Sequence, residues 1–329
     1  MERLAIGIDL GGTFIKGGLV SNIRGLLHEE HTATEADKGP VQVLQRIAQL
    51  VQRLQQHTDN IPLAGIGIGA PGTISWDRTT VKSPPNFPGW DTVNLVKALQ
   101  ERLSLTLPII VENDANVAGL GSAFYGAGKP FDSFIMVTLG TGVGGAIIYQ
   151  KKIFRGAHGG AGEIGHMTID YEGPIAYSGV SGAIEAYIGQ RFLSHHARLR
   201  LINRPHSLLY QLTQGDLSLL TPQLLTQAAQ QGDEPAQEIL AWAGHKLGCV
   251  LGAAVNLLDI RKIVVGGGIS GAGAFILEPA RRTLPDFVLT GLREGLEIVQ
   301  ETLGNKVGML GAAHLVFQYL EEYPTEKAP

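Results

Sequence analysis

The sequence predicts an α/β protein of two halves, each opening on a strand, a glycine turn and a returning strand. Three observations carry this. Apolar strand-like stretches alternate with amphipathic helical ones along the chain. Glycine supplies 44 of 329 residues, well above the usual share of about 7%, and shows no three-residue collagen period. The run Ile6-Gly-Ile-Asp-Leu-Gly-Gly-Thr superimposes without gaps on Ile135-Met-Val-Thr-Leu-Gly-Thr-Gly, an internal repeat that shapes the fold reading. Two such halves would face each other across a cleft.

The elements follow in order. Leu4, Ile6 and Ile8 alternate with small residues as a strand does, Gly11-Gly12 turns the chain, and residues 13–20 return. A third strand, 25–32, lies across the turn at Ser21-Asn22. Val43, Ile47, Leu50 and Leu54 recur at helical spacing over residues 40–56. Residues 63–70 form a strand that Pro71-Gly72 stops. Three prolines make 83–90 a loop, and Asp91 is expected to cap a helix reaching Arg102. A short strand over 108–112 feeds a helix over 115–124. The break at 126–130 sets the expected boundary, giving a small lobe 1–126 and a large lobe 127–304.

The second half repeats the opening, with a strand over 131–137, a glycine turn over 140–145 and a return over 146–150. A glycine-rich loop spans 154–166. Ser181 is expected to cap one helix running to Arg198. Thr221-Pro222 starts another, as a cap followed by proline at the first helical position. A long helix ends at Leu258 and carries Gly244, Gly248 and Gly252 four apart. Glycine is poor inside a helix, so a neighbouring backbone should pack close there. A strand over 263–265 meets the turn Gly266-Gly267-Gly268. A terminal helix covers 309–320, and 321–329 reads as a frayed tail.

Composition bounds the function. With 44% hydrophobic and 17% charged residues the chain is no disordered protein. A net charge of −4 offers no bulk basic surface for nucleic acid. The single cysteine, Cys249, excludes an internal disulfide and a cysteine-only zinc site. No signal peptide is legible after Met1, and the uncharged runs 134–150 and 247–258 fall short of the roughly 20 residues of a membrane helix. The expectation is a cytoplasmic protein with no membrane partner.

Chemistry concentrates in three places. A turn without side chains exposes N–H groups to phosphate oxygens. Gly11, Gly12 and Thr13 form one such turn, Gly140, Thr141 and Gly142 a second, with Thr138 adding a hydroxyl. Asp9, at a strand end, can hold a hydrated Mg²⁺. The first turn leads into a strand carrying Lys16, which argues against a dinucleotide fold, and no P-loop sequence is present. Glu112, Asn113 and Asp114 end an apolar strand, where α/β proteins bind ligands. Asp114 reads either as a helix cap or as a general base, since phosphoryl transfer needs an oriented acceptor for a hydroxyl proton. Glu163 and His166, three apart in the glycine-rich stretch, and Glu185 suit the vicinal hydroxyls of a sugar. His158 is a weaker candidate.

On Asp9-x-Gly-Gly-Thr, Glu112-Asn-Asp-Ala-Asn, Thr138-Leu-Gly-Thr-Gly-x-Gly-Gly, Gly162-Glu-Ile-Gly-His and Ile263-Val-Val-Gly-Gly-Gly, the chain resembles the ROK family of sugar kinases and repressors, most closely its bacterial glucokinase branch. The resemblance spans nearly the full length. It implies a two-lobed actin-like ATPase (ribonuclease H-like) fold, each lobe a mixed sheet with helices, and a terminal helix, about 305–320, packing back on the first lobe. It implies ATP with Mg²⁺, and Asp114 as the base toward the 6-hydroxyl of a hexose. Asn86, Asn113, Asp114, Glu163, His166 and Glu185 would contact the sugar. The two glycine turns, with Asp9, Lys16 and Thr138, would serve the phosphates, and Gly267-Gly268 the adenosine. It also implies a homodimer. Glucose leads, with mannose, fructose, N-acetylglucosamine and N-acetylmannosamine as alternatives, and polyphosphate is a conceivable donor. Regulators of the family carry a DNA-binding region before the first glycine turn; eight residues before Asp9 are too few for one.

One departure stands out. Many members bind zinc through the histidine of the Gly-Glu-Ile-Gly-His motif and three cysteines. Here Ala176, Ser178 and Ala183 stand at those positions, so no structural zinc is expected there. The loop 170–182 must then be held by hydrogen bonds and packing, for which Tyr171, Ile175, Tyr177 and Val180 are the candidates.

Overall fold

The computed structural model describes residues 1–59 and 61–323. By internal contacts the chain divides into two units: Met1–Asp132 with Ile147–Ala161 and the chain from Asn305 onward, and Ser133–Ala146 with Gly162–Gly304. The first 113 residues place β1 (Leu4–Leu10), β2 (Phe14–Ser21), β3 (Gly25–Ala33), α1 (Pro40–Gln55) and β4 (Leu63–Ala70), close to their expected bounds. Next come β5 (Thr73–Ile74), β6 (Thr80–Lys82) and β7 (Thr92–Asn94), then α2 (Leu95–Leu103) and β8 (Ile109–Asn113). The helix expected from Asp91 starts later. Residues 92–94 pair with β6, and Asn94 caps α2 by accepting from the Lys97 N–H at 2.9 Å. Three-residue strands in a side sheet β5-β6-β7 carry too little pattern to be read from sequence.

The chain continues through α3 (Asp114–Tyr125), β9 (Phe134–Leu139), β10 (Val143–Tyr149) and β11 (Lys152–Ile153). The one helix expected over 181–198 is two, α4 (Glu185–Ile188) and α5 (Gln190–Leu201), broken at Gly189. A Cβ at Gly189 would crowd the Glu185 carbonyl, so the break packs tightly. Ser181 caps neither, being bridged to Ile175 instead. Then follow α6 (Leu208–Leu212), α7 (Pro222–Gln230), α8 (Glu234–Leu258), β12 (Lys262–Gly266), α9 (Ala274–Thr283), β13 (Glu297–Gln300) and α10 (Val307–Glu322). Glu321 and Glu322, expected in a frayed tail, are helical; residues 324–329 lie outside the described residues. No helix among the described residues is long and apolar enough to cross a membrane.

The repeat legible in the sequence is a repeat of topology. The first sheet runs β3-β2-β1-β4-β8 and the second β11-β10-β9-β12-β13. In the first, β1 pairs antiparallel with β2 and parallel with β4, and β4 runs parallel with β8. In the second, β12 runs parallel with both β9 and β13, while β10 pairs antiparallel with β11. Both mixed sheets thus carry a turn-connected strand pair followed by parallel strands, as expected for the fold.

Glycine lets helices lie directly on their neighbours. On α8, a Cβ at Gly244 or Gly248 would strike the carbonyls of Ile276 and Ala280, and one at Gly252 would strike Phe287. The close approach expected from the four-residue spacing is therefore α9 and the turn after it. In the first unit α10 packs on α3, β1 and β4, and Gly7 and Gly67 would collide through a Cβ with the carbonyls of Met309 and Ala312. This contact also contains His314, whose ring stacks on Phe124 at 3.6 Å and meets Tyr125 and Phe317 edge-on. Burial pulls the His314 pKa down to about 4 and pushes Tyr125 up to about 12. The unfolded chain takes a proton near pH 6.5, the folded one only near pH 4. Stability is therefore full above about pH 6.5 and is lost as pH falls toward 4. The thermal midpoint should drop by several degrees across that window, and His314→Phe should flatten the slope in a pH series of melts.

Candidate active site

The first unit assembles its polar groups around the end of β8. Asn113 is the N-cap of α3: its Oδ1 accepts from the Ala115 and Asn116 N–H groups at 2.9 and 3.2 Å, and its Nδ2 donates to the Gly72 carbonyl at 3.3 Å. Capping thus falls to Asn113, and the cap reading of Asp114 is displaced by one residue. Asp114 sits exposed in the first helical turn, its Oδ1 accepting from the Ala115 N–H at 2.8 Å.

Beneath this junction lies a carboxylate with no solvent exposure. Glu112 Oε1 accepts from the Asn113 N–H at 2.9 Å and the Asn116 Nδ2 at 3.1 Å. Its Oε2 faces Arg78 Nε at 3.0 Å and Arg155 Nε at 2.9 Å. Arg155 further donates to the carbonyls of Trp76 and Ser75, at 2.8 and 3.0 Å, and lies 5.0 Å from the Trp76 ring centre. Sequence reasoning allowed Glu112 a structural partner but missed both arginines. The usable signal was a lone arginine opening the glycine-rich stretch after β11, where a small-residue loop has no other reason for a long cation.

Asn86 stands exposed in the proline-rich loop at φ 65°. Phe87 and Trp90, edge-to-face at 5.3 Å and buried, anchor that loop. A Cβ on Gly12 would lie 3.9 Å from the Asn86 Cβ, so the loop borders the first glycine turn. Within that turn the Gly11 N–H donates to the Phe14 carbonyl at 3.1 Å. Buried Thr34 backs it, donating its hydroxyl to the Gly11 carbonyl at 2.6 Å and its N–H to the Thr13 carbonyl at 3.0 Å. Closing the turn therefore uses the first amide. Among the described residues the Gly12 and Thr13 amides meet no backbone acceptor. The second turn repeats this economy, with the Gly140 N–H donating to the Gly142 carbonyl at 2.9 Å.

Asp9 ends β1 opposite Lys16, whose Nζ lies 4.0 Å away. Burial pushes the Asp9 carboxyl above the usual carboxylate range, with Lys16 pulling the other way. Gly308, second in α10, packs close to the carboxylate: a Cβ there would stand 3.1–3.4 Å from its atoms. A carboxylate near a strand end can hold a divalent cation through water, which would restore its charged form.

The second unit gathers its set around the backbone of Val143. The Val143 N–H donates to Glu185 Oε2 at 3.0 Å, and a Cβ on Gly165 would strike the Val143 carbonyl. Gly165 lies in the 3₁₀ turn Ile164–His166, so Glu163, His166, Glu185 and the glycine turn 140–142 share one neighbourhood. His166 Nε2 stands 3.8 Å from Glu163 Oε2, and its Nδ1 lies 3.2 Å from Ser178 Oγ. Thr138 is next to last in β9, matching the place of Asp9 in β1. Gly267 sits at φ 86°, where a Cβ would strike the Leu139 carbonyl, and Gly268 opens a 3₁₀ turn. His158 is exposed in the first unit's glycine-rich stretch.

The loop that lacks cysteines is held by hydrogen bonds and packing, as expected, but of the four side chains expected to pack only Val180 joins its buried cluster. Tyr171, Ile175 and Tyr177 are 82%, 64% and 73% exposed, so they do not form its core. Small residues do: Ala176, Ala183 and Ala186 are buried, with Val180, Tyr187 and Phe192 packed on them. Aromatic side chains would need a deeper cavity than a short loop encloses. Backbone bonds close it, from Ala176 N–H to the Val180 carbonyl at 3.0 Å and Gly182 N–H to the Pro174 carbonyl at 2.8 Å. Tyr187 adds a hydroxyl bond to Asp170 Oδ2 at 3.1 Å.

The Cβ space at Gly142 yields a prediction. An added methyl would overlap Glu185 Oε2, the free end of a flexible side chain, rather than backbone. Gly142→Ala should therefore fold normally yet push the carboxylate off the Val143 N–H. Losing one charge-assisted hydrogen bond corresponds to about tenfold. The melting midpoint should fall by only a few degrees while activity and substrate affinity fall by about that factor.

Two mixed sheets of repeated topology, each ending β-strands in a glycine turn and polar residues, define the ribonuclease H-like class of actin-type ATPases. The chain belongs to the ROK family, whose model matches residues 5–319. It is 31% identical over 311 residues to the glucokinase of Thermotoga maritima, covering 94% of this chain and 96% of that one. It is 33% identical over 320 residues to the glucokinase of Halalkalibacterium halodurans, covering 96% of each. A crystal structure of a ROK family glucokinase from Streptomyces griseus, in complex with glucose and AMPPNP, matches with a TM-score of 0.83 and 32% identity over 96% of this chain and 99% of that one.

Proposed function

We propose that this protein is an ATP-dependent sugar kinase that phosphorylates the 6-hydroxyl of glucose. The observation that carries the reading is the division of labour at the β8–α3 junction, where Asn113 caps the helix and Asp114 presents an exposed carboxylate one residue on. The family membership and the glucose- and AMPPNP-bound relative support the substrates.

Asp114 accepts the proton of the attacking hydroxyl late in the transfer, so an ordinary carboxylate suffices. Asn86 and Asn113 orient the sugar hydroxyls, and Glu163, His166 and Glu185 are the further candidates for that duty. The turn amides after Gly11 and Gly140 donate to phosphate oxygens, with Thr13, Thr138 and Thr141 adding hydroxyls and Lys16 a charge. Gly267 and Gly268, lacking side chains, accommodate the adenosine. Asp9 would hold Mg²⁺ through water, and the ion would supply charge neutralisation at the phosphates. On the same reading the enzyme is a cytoplasmic homodimer without a nucleic-acid partner.

The test is a coupled assay of sugar phosphate formation at fixed ATP over glucose, mannose, fructose, N-acetylglucosamine and N-acetylmannosamine. Glucose should give the highest kcat/KM. Preference for another hexose would change the substrate, and no product from any sugar would end the kinase reading.

A further inference from the structure

We propose that His28, Glu30 and His57 form a binding site for a divalent transition-metal ion, of which zinc is the natural probe. All three lie in the first unit, outside the residues assigned to sugar and nucleotide. His28 and Glu30 are two apart on β3, so both side chains leave the same face of the strand. That strand is the edge of its sheet. His57 follows the C-terminus of α1, where its N–H donates to the Leu54 carbonyl at 3.1 Å and keeps the chain in a tight turn. Helix α1 packs on β3, and this contact brings His57 over the strand.

The donor atoms lie close to one another. Glu30 Oε1 lies 3.3 Å from His28 Nε2 and 3.9 Å from His57 Nε2, and the three ligand atoms all fall within 4.8 Å of one another. The two imidazoles stack with ring centres 3.8 Å apart and planes 22° from parallel, so one ring must turn about its side-chain bonds for both in-plane lone pairs to meet a single ion. A tetrahedral ion with bonds of about 2.0–2.2 Å spaces its ligands about 3.4 Å apart. The His28–Glu30 pair already has that spacing, and His57, 3.9 Å from Glu30 Oε1, must approach and turn its ring to complete the set.

The carboxylate is prepared for the role. Arg53 Nε holds Glu30 Oε2 at 2.6 Å, while Oε1 meets His28 Nε2 at 3.3 Å, a hydrogen bond that a shared ion would replace. Orientation of a metal-binding carboxylate by an outer hydrogen bond is a general feature of such sites. The three side chains are 36%, 24% and 46% exposed, so the fourth position opens to water. Two imidazoles and one carboxylate suit zinc, nickel or copper, and suit magnesium or calcium poorly. An ion there would tie the edge strand to the end of α1.

Chelator-treated full-length protein titrated with Zn²⁺ by calorimetry at pH 7.5, and with Co²⁺ by visible absorption, tests this. Wild type should bind one ion at this site, give a cobalt ligand-field band, and melt at higher temperature with Zn²⁺ present. His57→Ala and Glu30→Gln should each weaken binding at least about tenfold and abolish the band and the melting shift. Both replace partly exposed side chains, and circular dichroism confirms that the variants fold. His166→Ala and Cys249→Ser should bind as wild type, which separates this site from the other soft ligands of the chain. No stoichiometric uptake by wild type, or unchanged binding by His57→Ala, overturns the proposal. Sugar phosphorylation is not the readout, so the outcome is independent of the kinase reading.

Discussion

Asp114→Asn should leave a folded chain whose turnover with glucose falls about 10²–10⁴-fold while both KM values stay near those of wild type. The amide is nearly the same size as the carboxylate, and its oxygen can still accept from the Ala115 N–H. Capping of α3 rests on Asn113, so the helix start survives. What disappears is the capacity to take a proton. Loss of favourable charge at the helix N-terminus costs at most about 1 kcal/mol, which circular dichroism and a melting curve separate from the kinetic loss. Turnover within about twofold of wild type would remove Asp114 from the chemistry and with it the general-base mechanism.

Glu112→Ala should be the most damaging single substitution for stability among the polar residues of the first unit. It strips the partner from Arg155, whose side chain is 9% exposed, and from Arg78 at 23%, and leaves the Asn113 N–H and Asn116 Nδ2 without their acceptor. Removing one side of a buried ion pair costs about 3–5 kcal/mol, a fall of about 10 °C in the melting midpoint. Chemical denaturation of wild type, Glu112→Gln and Glu112→Ala should rank them in that order. Because Glu112 holds the strand end from which Asp114 projects, kcat should fall as well in whatever fraction stays folded. A cost below about 1 kcal/mol for Glu112→Ala would mean that both arginines find other partners.

Much of the architecture was legible in the residues because long elements carry period. The strands β1, β2 and β4 and the helices α1 and α8 have apolar residues at spacings that survive any tertiary context. The Thr221-Pro222 start was legible for a local reason: Thr221 accepts from the Leu224 N–H at 3.3 Å within one turn. The repeat was legible because glycine is the residue that tolerates such turns. Where the reading failed, the deciding partner was distant or small. Residues 92–94 are a strand only because β6 lies beside them. The break at Gly189 and the start at Glu185 depend on packing around the turn 140–142. The loop 170–182 looked as if its large apolar residues would hold it, yet alanines fill its narrow interior.

Sequence alone determined the class of fold, the two glycine turns and the list of polar residues worth placing, since each is a statement about backbone tolerance or local period. Tertiary structure decided their duties. It gave the cap to Asn113 and left Asp114 exposed, set two arginines against Glu112 from 34 and 43 residues away, and tied Glu185 to Val143. It also set His57 of a helix end against His28 and Glu30 of an edge strand. Pairings of this kind depend on which surfaces meet after the chain has closed long loops, and nothing in the spacing of neighbours along the chain encodes the three-dimensional distance between them.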